Sequence, residues 1–163
     1  MKLNLGCGTD VQQGYTNVDL RAMPGIDHIR DVSDLSWIPS NTVEEIVGKD
    51  IVEHFSWRRT EEILREWHRV LAPNGKMILT LPDMKRLCER YLGINCDNAE
   101  QHKIDNALMT MLLYGGQDYA GNYHMAGWDA ESFIILLKKV EFVNISVTNN
   151  GGTNLIVICH KKA

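Results

Sequence analysis

The sequence predicts a single α/β domain built on a mostly parallel sheet that closes with an antiparallel hairpin. Two observations carry this prediction. Short apolar runs alternate with helix-period stretches along the chain. The last two runs, Val143–Val147 and Leu155–Cys159, flank Asn149-Asn150-Gly151-Gly152, whose residues suit a hairpin turn. The length of 163 residues fits one domain with one core.

Taken in order, the expected strands are Lys2–Leu5, Tyr15–Leu20, Ile26–Ile29, Val43–Val47 and Gly75–Leu81, followed by the hairpin pair. A helix is expected over Trp57–Leu71, with Ile63, Leu64, Trp67, Val70 and Leu71 on one stripe, Ser56 as its cap and Pro73-Asn74-Gly75 as its stop. Trp67 reads as core and His68 as surface. Asp83 caps a short helix carrying Leu87 and Tyr91. A further helix carries Ile104, Ala107, Leu108, Met111 and Leu112 and stops at Gly115-Gly116. Asp129 caps the last helix, with Phe133, Ile134, Leu136, Leu137 and Val140 on its apolar side. The first half is unusual. Only Gly6–Gly14 separates the first two strands and only Arg21–Gly25 the next two, where a parallel crossover ordinarily takes a dozen residues or more. The helices after the first two strands are therefore expected to be reduced to turns. The sheet surface they leave open makes a homodimer an expected partner state.

Composition limits the function. Charged residues make up 23% and the formal net charge is -4, so no basic face for a phosphate backbone is expected and nucleic acid is a disfavoured partner. No apolar run reaches membrane-spanning length, so no membrane insertion is expected. Cys7, Cys88, Cys96 and Cys159 form no CxxC pair; they read as reduced thiols of a cytoplasmic protein, and no metal site is expected. His28, His102 and His160 belong to no constellation, and the methionines read as packing.

Three strand ends carry candidate chemistry. Leu5 runs into Gly6-Cys7-Gly8, where glycines allow a sharp turn and close approach of a ligand. Asp19 ends the second strand, where a carboxylate can accept hydrogen bonds from both ribose hydroxyls of a nucleoside. Asp31 and Val32 follow the third strand; the carboxylate can hold an adenine amino group while the Val32 backbone meets the ring. Asp31 reads equally well as a solvated loop residue.

The run LNLGCG…NVDL…RDVSDLSWIPSNTVEEIVGKDIVEHF…ILREWHRVLAPNGKMILTLPD resembles the class I S-adenosylmethionine-dependent methyltransferases, and within them the small bacterial capsule and surface-glycan group. The resemblance covers about residues 2–82 and implies a Rossmann-like methyltransferase sheet. It implies that 1–82 is the cofactor-binding half, 83–128 a segment roofing the substrate, and 129–163 the last helix and hairpin. It further implies that Gly6, Cys7 and Gly8 lie under the methionine part of S-adenosylmethionine, that Asp19 holds the ribose, that Leu20 is among the cofactor-binding residues, and that Asp31 and Val32 frame the adenine. Gly48, Lys49 and Asp50 would hold the cofactor's amino acid moiety from the fourth strand end, with S-adenosylhomocysteine as product. Glu53-His54 matches a pair frequent in the family. A nicotinamide enzyme is the less favoured alternative, because the third glycine of GxGxxG is replaced by Val11. A non-catalytic module that binds S-adenosylmethionine or S-adenosylhomocysteine is the other.

The acceptor end is expected between Tyr114 and Trp128, rich in glycine, aromatic and polar groups. The resemblance to the glycan group makes a small-molecule acceptor, a hydroxyl of a sugar or glycan precursor, the expected substrate. His124 is the first candidate for the base that deprotonates it and His54 the second. Each also reads as a structural residue, His124 bonding a loop carbonyl and His54 shaping a turn. Gln117 and Asn122 either orient the acceptor or fix the loop, and Tyr119, Tyr123 and Trp128 either stack on a ring or pack.

Overall fold

A computed structural model describes residues 1–94 and 104–163; Cys96 and His102 lie outside the described residues. The strands are β1 (Lys2–Leu5), β2 (Thr16–Asp19), β3 (His28–Ile29), β4 (Val43–Lys49), β5 (Leu71–Pro82), β6 (Phe142–Asn149) and β7 (Asn154–Lys161). The helices are α1 (Thr60–Val70), α2 (Met84–Leu92), α3 (Asn106–Tyr114) and α4 (Ala130–Lys139), with a 3₁₀ turn at Val52–His54. The strands form one sheet in the order β3-β2-β1-β4-β5-β7-β6. Neighbours from β3 to β5 are parallel, and β7 runs antiparallel to both β5 and β6. This is the predicted mostly parallel sheet with a closing hairpin.

One sheet face is the core. Leu3 and Leu5, Val18, Ile46, Met77, Leu79 and Leu81, and Leu155, Val157 and Cys159 pack under Ile63, Leu64, Trp67 and Val70 of α1 and Phe133 and Leu137 of α4. Asp129 caps α4 through the Ser132 amide, and the Ser132 hydroxyl closes a capping box. Asp83 caps α2 as expected. Three expectations for α1 fail. It begins at Thr60 rather than Trp57, and Ser56 makes no side-chain cap; instead its carbonyl accepts from the Thr60 hydroxyl. His68 is half-buried against Phe142, its ring centroid 4.9 Å away, rather than on the surface.

No helix separates β1 from β2, β2 from β3 or β3 from β4. Polar side chains hold the short crossovers instead. The Asn4 amide donates to the Asp10 carbonyl at 2.7 Å and to Asn17 Oδ1 at 2.9 Å. Asn17 Oδ1 also accepts from the Gln12 amide, and Asp27 Oδ2 accepts from the Asn17 amide. After β3, Leu35 and Ile38 bury in the core, and the Arg69 guanidinium donates to both their carbonyls. The outer sheet face consequently keeps Ile78 and Ile156 half-buried and Ile158 at 37% exposure. Among the described residues no helix is long and apolar enough to cross a membrane.

Candidate functional site

The carboxyl ends of β1, β2 and β4 and the loop after β3 surround a cleft of about 340 Å³, within the range of small-ligand pockets. Of the predicted cofactor residues, Gly6, Asp19, Leu20, Asp31, Val32 and Asp50 line it. Cys7, Gly8, Gly48 and Lys49 do not. Cys7 is buried, with its thiol pushed up to about 11 by burial and then by Asp19. Gly8 stands behind the cleft and donates its amide to Asp19 Oδ2 at 2.8 Å. Gly48 is buried in the sheet, and Lys49 turns outward to pair with Asp10 at 2.6 Å.

The glycine turn is set by space as well as by φ. Gly6 has φ +63°, and a Cβ there would lie 2.5 Å from Ile51 Cδ1 and Cγ1. Asp19 is 6% exposed; besides Gly8 it accepts from the Arg21 amide at 2.9 Å and the Arg21 Nε at 3.3 Å. The carboxylate is thereby held at the end of β2 beside Gly6. Arg21 in turn lies under the Tyr119 ring, its Cζ 4.1 Å from the centroid. Tyr119 therefore sits at the Asp19 end of the cleft. The Val32 carbonyl accepts from the buried Trp67 indole at 2.8 Å, while its own amide donates to no group among the described residues. Asp31 accepts from the Ser33 amide at 2.8 Å in a local turn.

The far end of the cleft joins segments 70 residues apart in the chain. The amides of Met125 and Ala126 both donate to the Glu53 carbonyl, at 2.8 and 3.2 Å. This stitches the 114–128 segment to the 3₁₀ turn after β4. Gly115, at φ +82°, lets the segment double back, since a Cβ there would lie 2.5 Å from the Asn122 carbonyl oxygen. His124 thus comes against His54, with ring centroids 5.0 Å apart and edge-to-face. His54 Nδ1 lies 3.1 Å from the Tyr123 carbonyl and His124 Nδ1 2.9 Å from the Leu112 carbonyl. A carbonyl only accepts, so each Nδ1 carries a proton. His54 lines the cleft, and burial followed by the nearby His124 lowers its pKa. Beneath them Glu53 is 1% exposed, neither carboxylate oxygen has a hydrogen-bond partner among the described residues, and burial pushes its pKa up to about 8.

Gln117 and Asn122 stand outside the cleft lining and brace the loop. The Gln117 amide donates to the Asn122 carbonyl at 3.0 Å, and the Asn122 side chain donates to Asp118 Oδ1. Trp128 packs edge-to-face on Phe133 against the core. The cleft also takes residues not anticipated from the sequence: Arg21, Arg30, Ile51, Phe55, Arg59 and Met125. A lone arginine in a loop carries no local pattern; it counts only once β2, β3 and the turn before α1 converge.

No protein-family model matches the sequence, and no curated protein matches it. Solved structures do. The 1,6-didemethyltoxoflavin-N1-methyltransferase of Burkholderia thailandensis, crystallised with 1,6-didemethyltoxoflavin and S-adenosylhomocysteine, aligns at TM-score 0.63 and 15% identity over 99% of this chain and 71% of its own. A methyltransferase of Thermotoga maritima described as a possible histamine N-methyltransferase aligns at 0.67 and 14%, over 99% and 82%. A SAM-dependent methyltransferase of Archaeoglobus fulgidus aligns at 0.65 and 12%, over 98% and 85%. At such identities the likeness is one of architecture: the chain has the Rossmann-like fold of S-adenosylmethionine-dependent methyltransferases.

Proposed function

We propose that this chain is an S-adenosylmethionine-dependent methyltransferase acting on a small-molecule acceptor, a hydroxyl of a sugar or glycan precursor. The observation that carries the reading is Asp19, fixed at the end of β2 beside the Gly6 turn and facing the cleft. A carboxylate there meets ribose hydroxyls, and the Val32 amide across the cleft is free to meet an adenine ring nitrogen. Gly6 and Asp50 border the methionine end, with Cys7, Gly8, Gly48 and Lys49 shaping it from behind.

Methyl transfer asks mainly for alignment, because the sulfonium is already activated. His54 lines the cleft and His124 packs against it, and on this reading the pair serve the acceptor oxygen and its proton. Tyr119, Gln117 and Asn122 shape the mouth through the loop they hold. The same reading has two copies pairing through the outer sheet face, whose Ile78, Ile156 and Ile158 are incompletely covered.

Calorimetry with S-adenosylhomocysteine and, separately, with NAD tests the cofactor assignment. Binding of the first and not the second is expected; the reverse would overturn the reading. A screen of hydroxylated small molecules with labelled methyl donor then tests the acceptor class.

A further inference from the structure

We propose that Glu53, His54 and His124 form a binding site for a divalent transition-metal cation of the zinc class, with an open coordination position toward the cleft. The sequence offered no metal pattern, because the three donors come from two distant segments. The fold joins them: one nitrogen of each imidazole and one Glu53 oxygen lie within 4.8 Å of one another.

Three observations point to a cation. Glu53 is 1% exposed with both carboxylate oxygens unpartnered among the described residues. Such a group is costly to bury unless something positive or protic meets it. The two imidazoles beside it are each anchored at Nδ1 by a backbone carbonyl, Tyr123 for His54 and Leu112 for His124. That anchoring is the outer-shell arrangement that fixes a metal-binding histidine, whose second ring nitrogen is the donor to the ion. Finally, no lysine or arginine side chain bonds to Glu53 among the described residues, so no fixed cation already fills the place.

Two imidazoles and one carboxylate suit zinc, cobalt or nickel rather than calcium or magnesium, which prefer an all-oxygen shell. Zinc bonds of about 2.0–2.2 Å place tetrahedral donors ~3.4 Å apart, so binding draws the three side chains inward by up to about an ångström. With three protein donors, the fourth position remains for water or for an acceptor oxygen. Chemically, coordination lowers the pKa of a bound hydroxyl, which releases its proton to solvent. On the methyltransferase reading, the resulting oxyanion attacks the methyl carbon as the carbon–sulfur bond breaks. That bond's electron pair stays on sulfur, turning the sulfonium into a neutral thioether. The imidazoles then hold the ion instead of taking the proton themselves. The site itself rests on its donors and not on the methyltransferase reading.

The test is titration of the full chain, first stripped with chelator, with cobalt alone and then with competing zinc. Visible cobalt absorption reports nitrogen and oxygen ligation directly. Stoichiometric, saturable binding is expected. Glu53→Gln and His124→Ala should each weaken it at least about 10-fold, the lower end of what even outer-shell losses cost. His28→Ala, remote from the cluster, should leave it unchanged. Absence of saturable cobalt binding by the parent chain overturns the proposal, as does binding that survives Glu53→Gln undiminished. If one variant fails to fold by circular dichroism, His54→Ala takes its place under the same criterion. Calorimetry with S-adenosylhomocysteine on the same samples separates the two readings. Cobalt bound without affinity for the nucleoside leaves the metal site and removes the methyltransferase, and the opposite result removes only the metal.

Discussion

Substitution of Gly6 by alanine tests how the cleft floor is built. Gly6 sits at φ +63°, where an L-residue costs about 1–2 kcal/mol. The new methyl would also lie 2.5 Å from Ile51 Cδ1 and Cγ1 and 3.0 Å from its Cβ. A side chain crowded as far back as its Cβ cannot escape by a terminal rotation, so Ile51 and its backbone must shift, at a further ~1–3 kcal/mol for overpacking. Together the cost is about 2–5 kcal/mol. Both Gly6 and Ile51 line the cleft, so the shift also intrudes on the ligand. Urea denaturation measures the stability, and calorimetry with S-adenosylhomocysteine the binding. The decisive comparison is Gly6→Ala made in an Ile51→Ala background. There the two 2.5 Å contacts are gone and the 3.0 Å contact with the residue 51 Cβ remains, so the penalty of the glycine change should fall toward the dihedral cost of about 1–2 kcal/mol. A Gly6→Ala chain as stable as the parent refutes the reasoning, as does a penalty that is the same in both backgrounds.

Other outcomes follow from the same geometry. Asp19→Ala should weaken S-adenosylhomocysteine by ~1.5–3 kcal/mol, about 10–150-fold, the scale of hydrogen bonds to a charged group; unchanged affinity in a folded variant removes the ribose assignment. Glu45 is 8% exposed; burial raises its pKa, but Lys76 at 2.6 Å and the Tyr15 hydroxyl outweigh this and hold it below the usual value of 4.5. A carboxylate depressed in the folded state stabilises above its unfolded pKa and loses that stabilisation as pH falls through its folded one. Urea midpoints should therefore drop on acidification from about pH 4.5 downward, and less steeply in Glu45→Gln; equal slopes would refute the assignment. Sedimentation at tens of micromolar protein, roughly the regime of modest self-association constants, should give a dimer mass, and Ile158→Lys should return a monomer. A monomeric parent chain would remove the homodimer.

Much of the architecture was legible because it rests on local signals. Hydrophobic period separates strands such as Gly75–Leu81 from the helix that buries Ile63, Leu64 and Trp67, and Asn149–Gly152 announces its own turn. Asp83 and Asp129 cap helices because a side-chain oxygen two or three residues ahead of an orphan amide is a purely local fit. Gly6 and Asp19 were legible for a related reason. Each ends a strand, and in a parallel sheet those ends share one edge.

Tertiary structure decided the rest. Nothing in the sequence tells that Asn4 and Asn17 would stand in for a crossover helix, since their bonds to Asp10 and Gln12 exist only once β1 and β2 pair. Nor does it tell that Gln117 and Asn122 brace a loop while Arg21 and Arg30 reach the cleft, because loop side chains follow no period. The Glu53, His54 and His124 cluster is the clearest case. The first two are neighbours in the chain, but the third arrives 70 residues later, brought by two backbone hydrogen bonds to the Glu53 carbonyl and by a glycine that lets the loop fold back. Sequence fixes which chemical groups exist and which local structures they favour; their distances across the cleft are set by the packing of the whole sheet.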